Sequence, residues 1–176
     1  MTSGQVAGQA AEGIVVPRLD RVDEEQIQML LEACEQLLLR SRRIPLLLTR
    51  DWTRRFPTDA GVYAVFDQND LVYVGETGSI AARMLDFLSS RNHVLRRKLG
   101  NVLFKDVPGF HEATSSRRFP NNIEQMVTDY IETRLSVSPV IVPFGRAEIE
   151  EHMTAKHRPP YNSKLKRGSK PEKGAA

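Results

Sequence analysis

Tyr63, Tyr73, Arg83 and an acidic run at Glu148, Glu150 and Glu151 are the side chains of this sequence whose types could act together on a phosphate ester. An arginine can neutralise charge developing on a phosphate, a carboxylate can hold a divalent cation, and a phenol can accept a proton from water. Taken singly, each has an ordinary structural use: a strand tyrosine packs, a helical arginine pairs at the surface, and helical acids are solvated. Together they are the parts needed to hydrolyse a phosphodiester. The phenol is the difficult part. With a reference pKa of about 10, on the order of one phenol in a thousand is ionised at neutral pH. Arg83 and a bound cation would both favour the phenolate.

Two short strands, Gly61–Phe66 and Leu71–Gly75, must carry the tyrosines, because both runs are rich in β-branched and aromatic residues around a polar turn. Their register decides whether the phenols meet. A four-residue loop over 67–70 sends Tyr63 and Tyr73 to opposite faces. A three-residue loop, Asp67–Asn69 with Asn69 left-handed, pairs Phe66 with Asp70 and sets Tyr63 opposite Tyr73. On that register Gly61, Tyr63, Val65, Leu71, Tyr73 and Gly75 form a ligand-facing surface with room at its glycines. Val62, Ala64, Phe66, Val72 and Val74 then form the core face.

The remaining elements follow from caps and periodicity. Ser79 caps a helix over 80–88, with Ile80, Met84, Phe87 and Leu88 inward and Arg83 beside that stripe. Residues 89–100 read as a second short helix, ended by Gly100 and carrying His93, Arg96, Arg97 and Lys98. Residues 101–120 read mostly as loop, with a short strand near 103–107. Asn121 or Asn122 caps a helix whose Ile123, Met126, Val127, Tyr130, Ile131 and Leu135 share a face. Residues 137–142 form a third strand, placed at an edge because Pro139 cannot donate to a ladder. Gly145 precedes the helix of about 146–156 that bears the acids. At the other end Asp23 caps a helix to about Leu39, with Ile27, Leu30, Leu31, Cys34 and Leu38 on one face. That face either packs on the following domain or pairs with another chain. Leu46–Leu48 read as a docking connector.

Gly61-Val62-Tyr63 followed by Tyr73-Val74-Gly75 resembles the signature of the GIY-YIG nuclease superfamily, which includes repair, homing and restriction endonucleases. The spacing agrees. In that family an arginine follows the second tyrosine by ten residues, where Arg83 stands, and a metal-binding glutamate precedes the asparagine of a P-x-Y-N type ending by twelve. Pro159-Pro160-Tyr161-Asn162 supplies the ending and Glu150 the glutamate. The resemblance implies an α/β fold of the α+β type, a small three-stranded antiparallel sheet flanked by helices, over residues 56–163. It also implies hydrolysis of DNA with Mg²⁺ or Mn²⁺ held by Glu150. Tyr63 would be the general base or orienting phenolate, and Tyr73 would bind the attacked phosphate or position the base. Arg83 would stabilise the transition state, and Asn162 would anchor the chain end to the sheet. Phe87 stands where relatives often carry a histidine or tyrosine, four residues after the arginine. His93 either replaces that proton donor or, as a surface histidine, assists phosphate binding. Glu76 stands after YVG where the repair proteins have lysine. The alternative function is a nucleic-acid-binding module of the same fold with little cleavage.

Composition limits the other classes. The 176 residues hold 40% apolar and 27% charged side chains, values of one globular domain with extensions. The net charge of +3 is modest, but basic residues cluster at Arg96, Arg97 and Lys98 and again from Lys164 onward, which suits a polyanion. The single cysteine excludes an intrachain disulfide framework. Without a signal peptide or an 18-residue apolar run, a cytoplasmic protein is expected. The organisation read from the chain is a flexible tail at 1–18, a helical extension and connector at 19–55, the nuclease-like domain at 56–163 with an insertion at about 90–135, and a basic tail at 164–176.

Overall fold

The tyrosine hairpin is built from β2 (Gly61–Asp67) and β3 (Asp70–Thr77), but its register is not the expected one. The computed structural model, which describes residues 23–162, pairs Asp67 with Asp70 and Phe66 with Leu71 across a two-residue loop. Gln68, not Asn69, takes the positive φ of 53°. The register shifts between Val65 and Phe66, so that Val65 pairs with Tyr73 and Tyr63 with Gly75. The extra residue on β3 is Val72. A bulge of this kind restores the alternation that the short loop would have broken. Tyr63 and Tyr73 therefore share a face as diagonal neighbours, not as a directly opposed pair. Leu71 and Val72 exchange sides relative to expectation: Val72 packs with Tyr63 and Val65, while Leu71 packs with Phe66 and Val74. The turn is held from outside, since the Arg43 guanidinium donates to the Gln68 carbonyl at 2.8 Å and lies 3.8 Å over the Phe66 ring. The Gln68 N–H donates to the carbonyl of Arg134.

The sheet has four strands, not three. Ile44–Pro45 (β1), read as part of a connector, pairs with Val137 and Ser136 of β4 (Leu135–Ile141), giving the order β1-β4-β2-β3. All neighbours are antiparallel. β4 is thus interior where β1 covers it, yet Pro139 falls past the two residues of β1, where its missing N–H breaks no bond on that side. Leu46 is fully buried, as a docking residue should be.

Helices cover both faces. On one side lie α2 (Arg50–Thr53), α3 (Ile80–Asp86), α4 (Val94–Leu103) and α5 (Asn121–Arg134). Their Trp52, Met84, Leu99, Ile123 and Val127 bury against Tyr63, Val65 and Val137. The tyrosine face is therefore a core face too, the larger of the two. Gly100 lies inside α4 instead of ending it, and it makes room for the Phe119 ring, 2.3 Å from where a Cβ would sit. No strand forms at 103–107, where α4 runs on to Leu103. α5 begins after Pro120 without a side-chain cap from either asparagine.

On the other side lie α1 (Glu24–Arg40) and α6 (Arg146–His157). Asp23 caps α1 as expected, accepting from the Glu25 N–H at 3.1 Å. Only the C-terminal half of α1 is covered: Cys34 and Leu38 pack with Phe66, Ile149 and Met153, while Ile27 and Leu30 are exposed. A buried acid completes this seam. Glu35 lies between Cys34 and Leu38 on the apolar stripe, and its carboxylate meets His152 Nε2, Lys156 Nζ and His157 Nε2, each at 2.8 Å. Burial alone would raise the Glu35 pKa, but hydrogen bonds from Lys156, His152 and His157 outweigh it and bring the value down to about 2.

A depressed carboxylate stabilises the fold above its unfolded value and ceases to do so as pH falls through its folded value. The contribution is on the order of 3 kcal/mol at neutral pH and should disappear between about pH 4.5 and 2. Glu35→Gln is expected to lower unfolding free energy by about that amount at pH 7, with a gap from wild type that narrows as pH drops to 3. A gap independent of pH in denaturant titrations would contradict this.

The expected tails at 1–18 and 164–176 lie outside the described residues. Within those described, no helix is long and apolar enough to cross a membrane.

Candidate active site

β3 is the sheet's outer strand, and its open backbone edge assembles the site. An unpaired edge must be covered or satisfied, and here the chain after α6 does so. Tyr161 N–H donates to the Val72 carbonyl, and the Asn162 side chain accepts from Val74 N–H at 2.8 Å and donates to Val74 carbonyl at 2.7 Å. Asn162 thus imitates a strand residue and anchors the chain end, as expected. Two residues further along the same edge, Glu76 N–H donates to the Glu150 carboxylate. α6 belongs to the opposite layer, yet at this edge its Glu150 comes within electrostatic reach of Tyr63, Tyr73 and Arg83. Glu148 and Glu151 are exposed, and of the three acids only Glu150 is half-buried.

The two phenols differ in access. Tyr63 is 1% exposed, with its ring 6.1 Å from that of Tyr73, which is half-buried. Gly75 is required by this packing, because a Cβ there would lie 2.5 Å from the Tyr63 hydroxyl. The room at Gly75 is taken by the phenol, and that at Gly61 by the Val140 carbonyl and Ile80, so neither glycine is open to a ligand. Burial pushes the Tyr63 pKa well above 10; proximity to Tyr73 adds to this and Arg83 opposes it. Burial and the Glu150 charge raise Tyr73, against Arg83 and Arg97. Both are neutral phenols in the unliganded protein, contrary to the phenolate that Arg83 alone would favour.

His93 is not at the surface. It stands at the N-terminus of α4, 1% exposed, with its ring stacked 3.6 Å from that of Phe87 and its Nε2 3.0 Å from the Tyr63 hydroxyl. Phe87 donates no proton and instead forms the wall that fixes His93. Burial, together with Arg83, Arg97 and Arg96, lowers the His93 pKa well below the usual imidazole value, so the ring is neutral. Its buried Nδ1 has no partner. An orphaned acceptor is tolerated better than an orphaned N–H, which places the proton on Nε2. His93 then donates to Tyr63, whose ring lies 6.1 Å from that of Tyr73.

Arg83, on α3, is paired with Asp86 at 3.2 Å, and its buried Nε has no partner. The basic cluster separates. Arg96 is 2% exposed and bound to Glu124, Thr128 and the Phe87 carbonyl, so it is a core residue and not part of a surface for nucleic acid. Arg97 is partly exposed, donating to the carbonyls of Ser90 and Arg91, and Lys98 donates to the Tyr161 carbonyl.

A groove of about 570 Å³ opens beside Glu150, lined by Glu76, Ala147, Glu151, Thr154, Arg158, Pro159 and Asn162. Burial and the like charge of Glu76 raise the Glu150 pKa, against the Glu76 N–H and Arg83. A half-buried carboxylate crowded by a second one suits a hard divalent cation with oxygen ligands and waters. Among the described residues no three His, Cys, Asp or Glu side chains gather into a metal cage, so a site rich in waters is the arrangement that fits. Sequence reasoning missed Arg146, which braces this rim through Glu76 at 3.2 Å.

No family model matches the chain, and no curated protein matches it. Among solved structures, it is similar to two of the GIY-YIG N-terminal endonuclease domain of UvrC from Thermotoga maritima, both tyrosine-to-phenylalanine point mutants bound to the catalytic divalent cation. Each is 13% identical, covering 65% of this chain and 94% of that one, with TM-scores of 0.36 and 0.35.

Proposed function

We propose that this chain is a divalent-metal-dependent endonuclease that hydrolyses DNA phosphodiester bonds. The observation that carries the reading is that Tyr73, Arg83 and Glu150, from a strand and two helices in different layers, lie within electrostatic reach of one another beside β3, the sheet's outer strand. Glu150 would hold Mg²⁺ or Mn²⁺ through one carboxylate and several waters. When bound, the cation supplies the positive charge that polarises the phosphate and its attacking water. Tyr73 directs its O–H at a phosphate oxygen, and Arg83 adds a planar donor pair whose Nε is not otherwise used. Water oxygen attacks phosphorus and gives up a proton to solvent, the P–O bond to the leaving sugar breaks, and the leaving oxygen takes up a proton from solvent. Tyr63 and His93 are positioning residues, because both are 1% exposed and bonded to each other, whereas Tyr73 beside them is half-buried.

Nicking of a supercoiled plasmid tests the proposal. Activity should require Mg²⁺ or Mn²⁺, vanish with a chelator and in Glu150→Ala, and fall further in Tyr73→Phe than in Tyr63→Phe. Binding without nicking under any divalent cation would leave a nucleic-acid-binding module in place of the enzyme. Equal loss in both tyrosine variants would contradict the division of roles.

A further inference from the structure

Phe144 is 76% exposed, more than any other large apolar side chain among the described residues, and it makes no ring contact there. It is held out on a braced turn. Pro143 precedes it, Gly145 follows with φ 76°, and the Arg146 guanidinium ties the turn by donating to the Pro143 carbonyl at 2.6 Å and to Glu76 at 3.2 Å. A phenylalanine held out in water on an ordered turn buries no apolar area in the free chain, and an aromatic ring presented in this way is available to a partner. Its surroundings narrow the partner. Phe144 shares a shallow pocket with Glu76, Arg146, Ala147 and Glu148, and Glu76 and Ala147 also line the Glu150 groove. The ring is therefore continuous with the candidate phosphodiester site. Glu76 is already paired with Arg146, while the exposed Glu148 carboxylate beside the ring repels a phosphate and can accept from the exocyclic amine of a neutral base.

We propose that Phe144 stacks on an unpaired nucleobase next to the cleaved phosphate, so that the substrate is nucleic acid with an unstacked nucleotide at the cut, such as a bulge or single strand. A base inside a duplex shows only its edges; its face becomes available when it leaves the stack. This rests on the proposed endonuclease reading and specifies its substrate class.

The test uses the full chain in EDTA, where binding is read without cleavage, and two duplexes containing 2-aminopurine, one with that base bulged and one with it paired. Wild type should bind the bulged duplex more tightly and change its 2-aminopurine fluorescence. Phe144→Ala should weaken binding to the bulged duplex by about 5- to 100-fold, leave the paired duplex unaffected, and lose the fluorescence change. Phe144→Trp should retain both. Equal affinity of wild type and Phe144→Ala for the bulged duplex, or the same loss on both duplexes, would overturn the proposal. Phe144-dependent binding by a chain that never nicks would support the stacking and sink the endonuclease reading, while no binding to either duplex at low salt would overturn both.

Discussion

Arg83→Ala should reduce the rate of metal-dependent nicking by about 100- to 1000-fold, the effect of removing one preorganised donor from a transition state. The unfolding midpoint should hardly move, because Arg83 is partly exposed and its ion pair with Asp86 is an accessible one of little worth. The loss is expected to be large for a geometric reason. The charge of Arg83 is felt at both tyrosines and at Glu150, so one side chain serves every group that would face the phosphate. Arg83→Lys should recover only part of the rate, since an ammonium keeps the charge and loses the planar fork. Single-turnover rates at saturating protein measure this directly, and an Arg83→Ala protein with more than a tenth of wild-type rate would contradict it.

Arg96→Met should do the reverse, destabilising the protein by about 3–5 kcal/mol with a fall in melting temperature on the order of 10 °C. The guanidinium is 2% exposed and donates to the Glu124 carboxylate at 2.7 and 3.0 Å, to the Glu124 and Phe87 carbonyls, and to Thr128. Methionine fills much of the volume but leaves the Glu124 charge without its partner. Arg96→Met combined with Glu124→Leu should recover a substantial part of the loss, because the unpaired charge goes too. Denaturant titrations of the two single variants and the double variant decide this. A surface arginine serving nucleic acid would behave oppositely, losing affinity and keeping stability.

The difference between these two arginines was only half legible in the sequence. Arg83 could be placed because its distance from Tyr73 and its position beside the Ile80 and Met84 stripe are local features of one strand-to-helix passage. Arg96 lies in a run of basic residues that reads as surface. Its burial depends on Glu124, 28 residues away on α5, and no local pattern reports that meeting. Of the two readings of His93, the surface histidine fails for the same reason, since its cover comes from Phe87 and Tyr63 on other elements.

The residue types left Glu148, Glu150 and Glu151 open, and the resemblance alone pointed to Glu150, twelve residues before Asn162. The helix and the Pro159–Asn162 segment return the chain along β3, so the carboxylate and the Asn162 amide reach Glu76 and Val74, alternate residues of one edge. The hairpin gave a sound conclusion from the wrong cause. Asn69 is the better left-handed residue by local preference, but Arg43 and the end of α5 hold Gln68 in that conformation instead. The bulge at Val65/Phe66 then restores the tyrosines to one face. A register set by tertiary contacts and corrected by a bulge cannot be read from turn residues alone.

The central claim is that a cation held at Glu150 sits beside the two phenols, and it can be tested without knowing the substrate. With the tyrosines replaced by 3-fluorotyrosine, Mn²⁺ titrated into the protein should broaden the ¹⁹F signals of Tyr63 and Tyr73 ahead of that of Tyr130, which is hydrogen-bonded to Asp67 near the hairpin turn. The broadening should be absent in Glu150→Gln. Broadening of Tyr130 first, or of Tyr63 and Tyr73 equally in Glu150→Gln, would contradict the account.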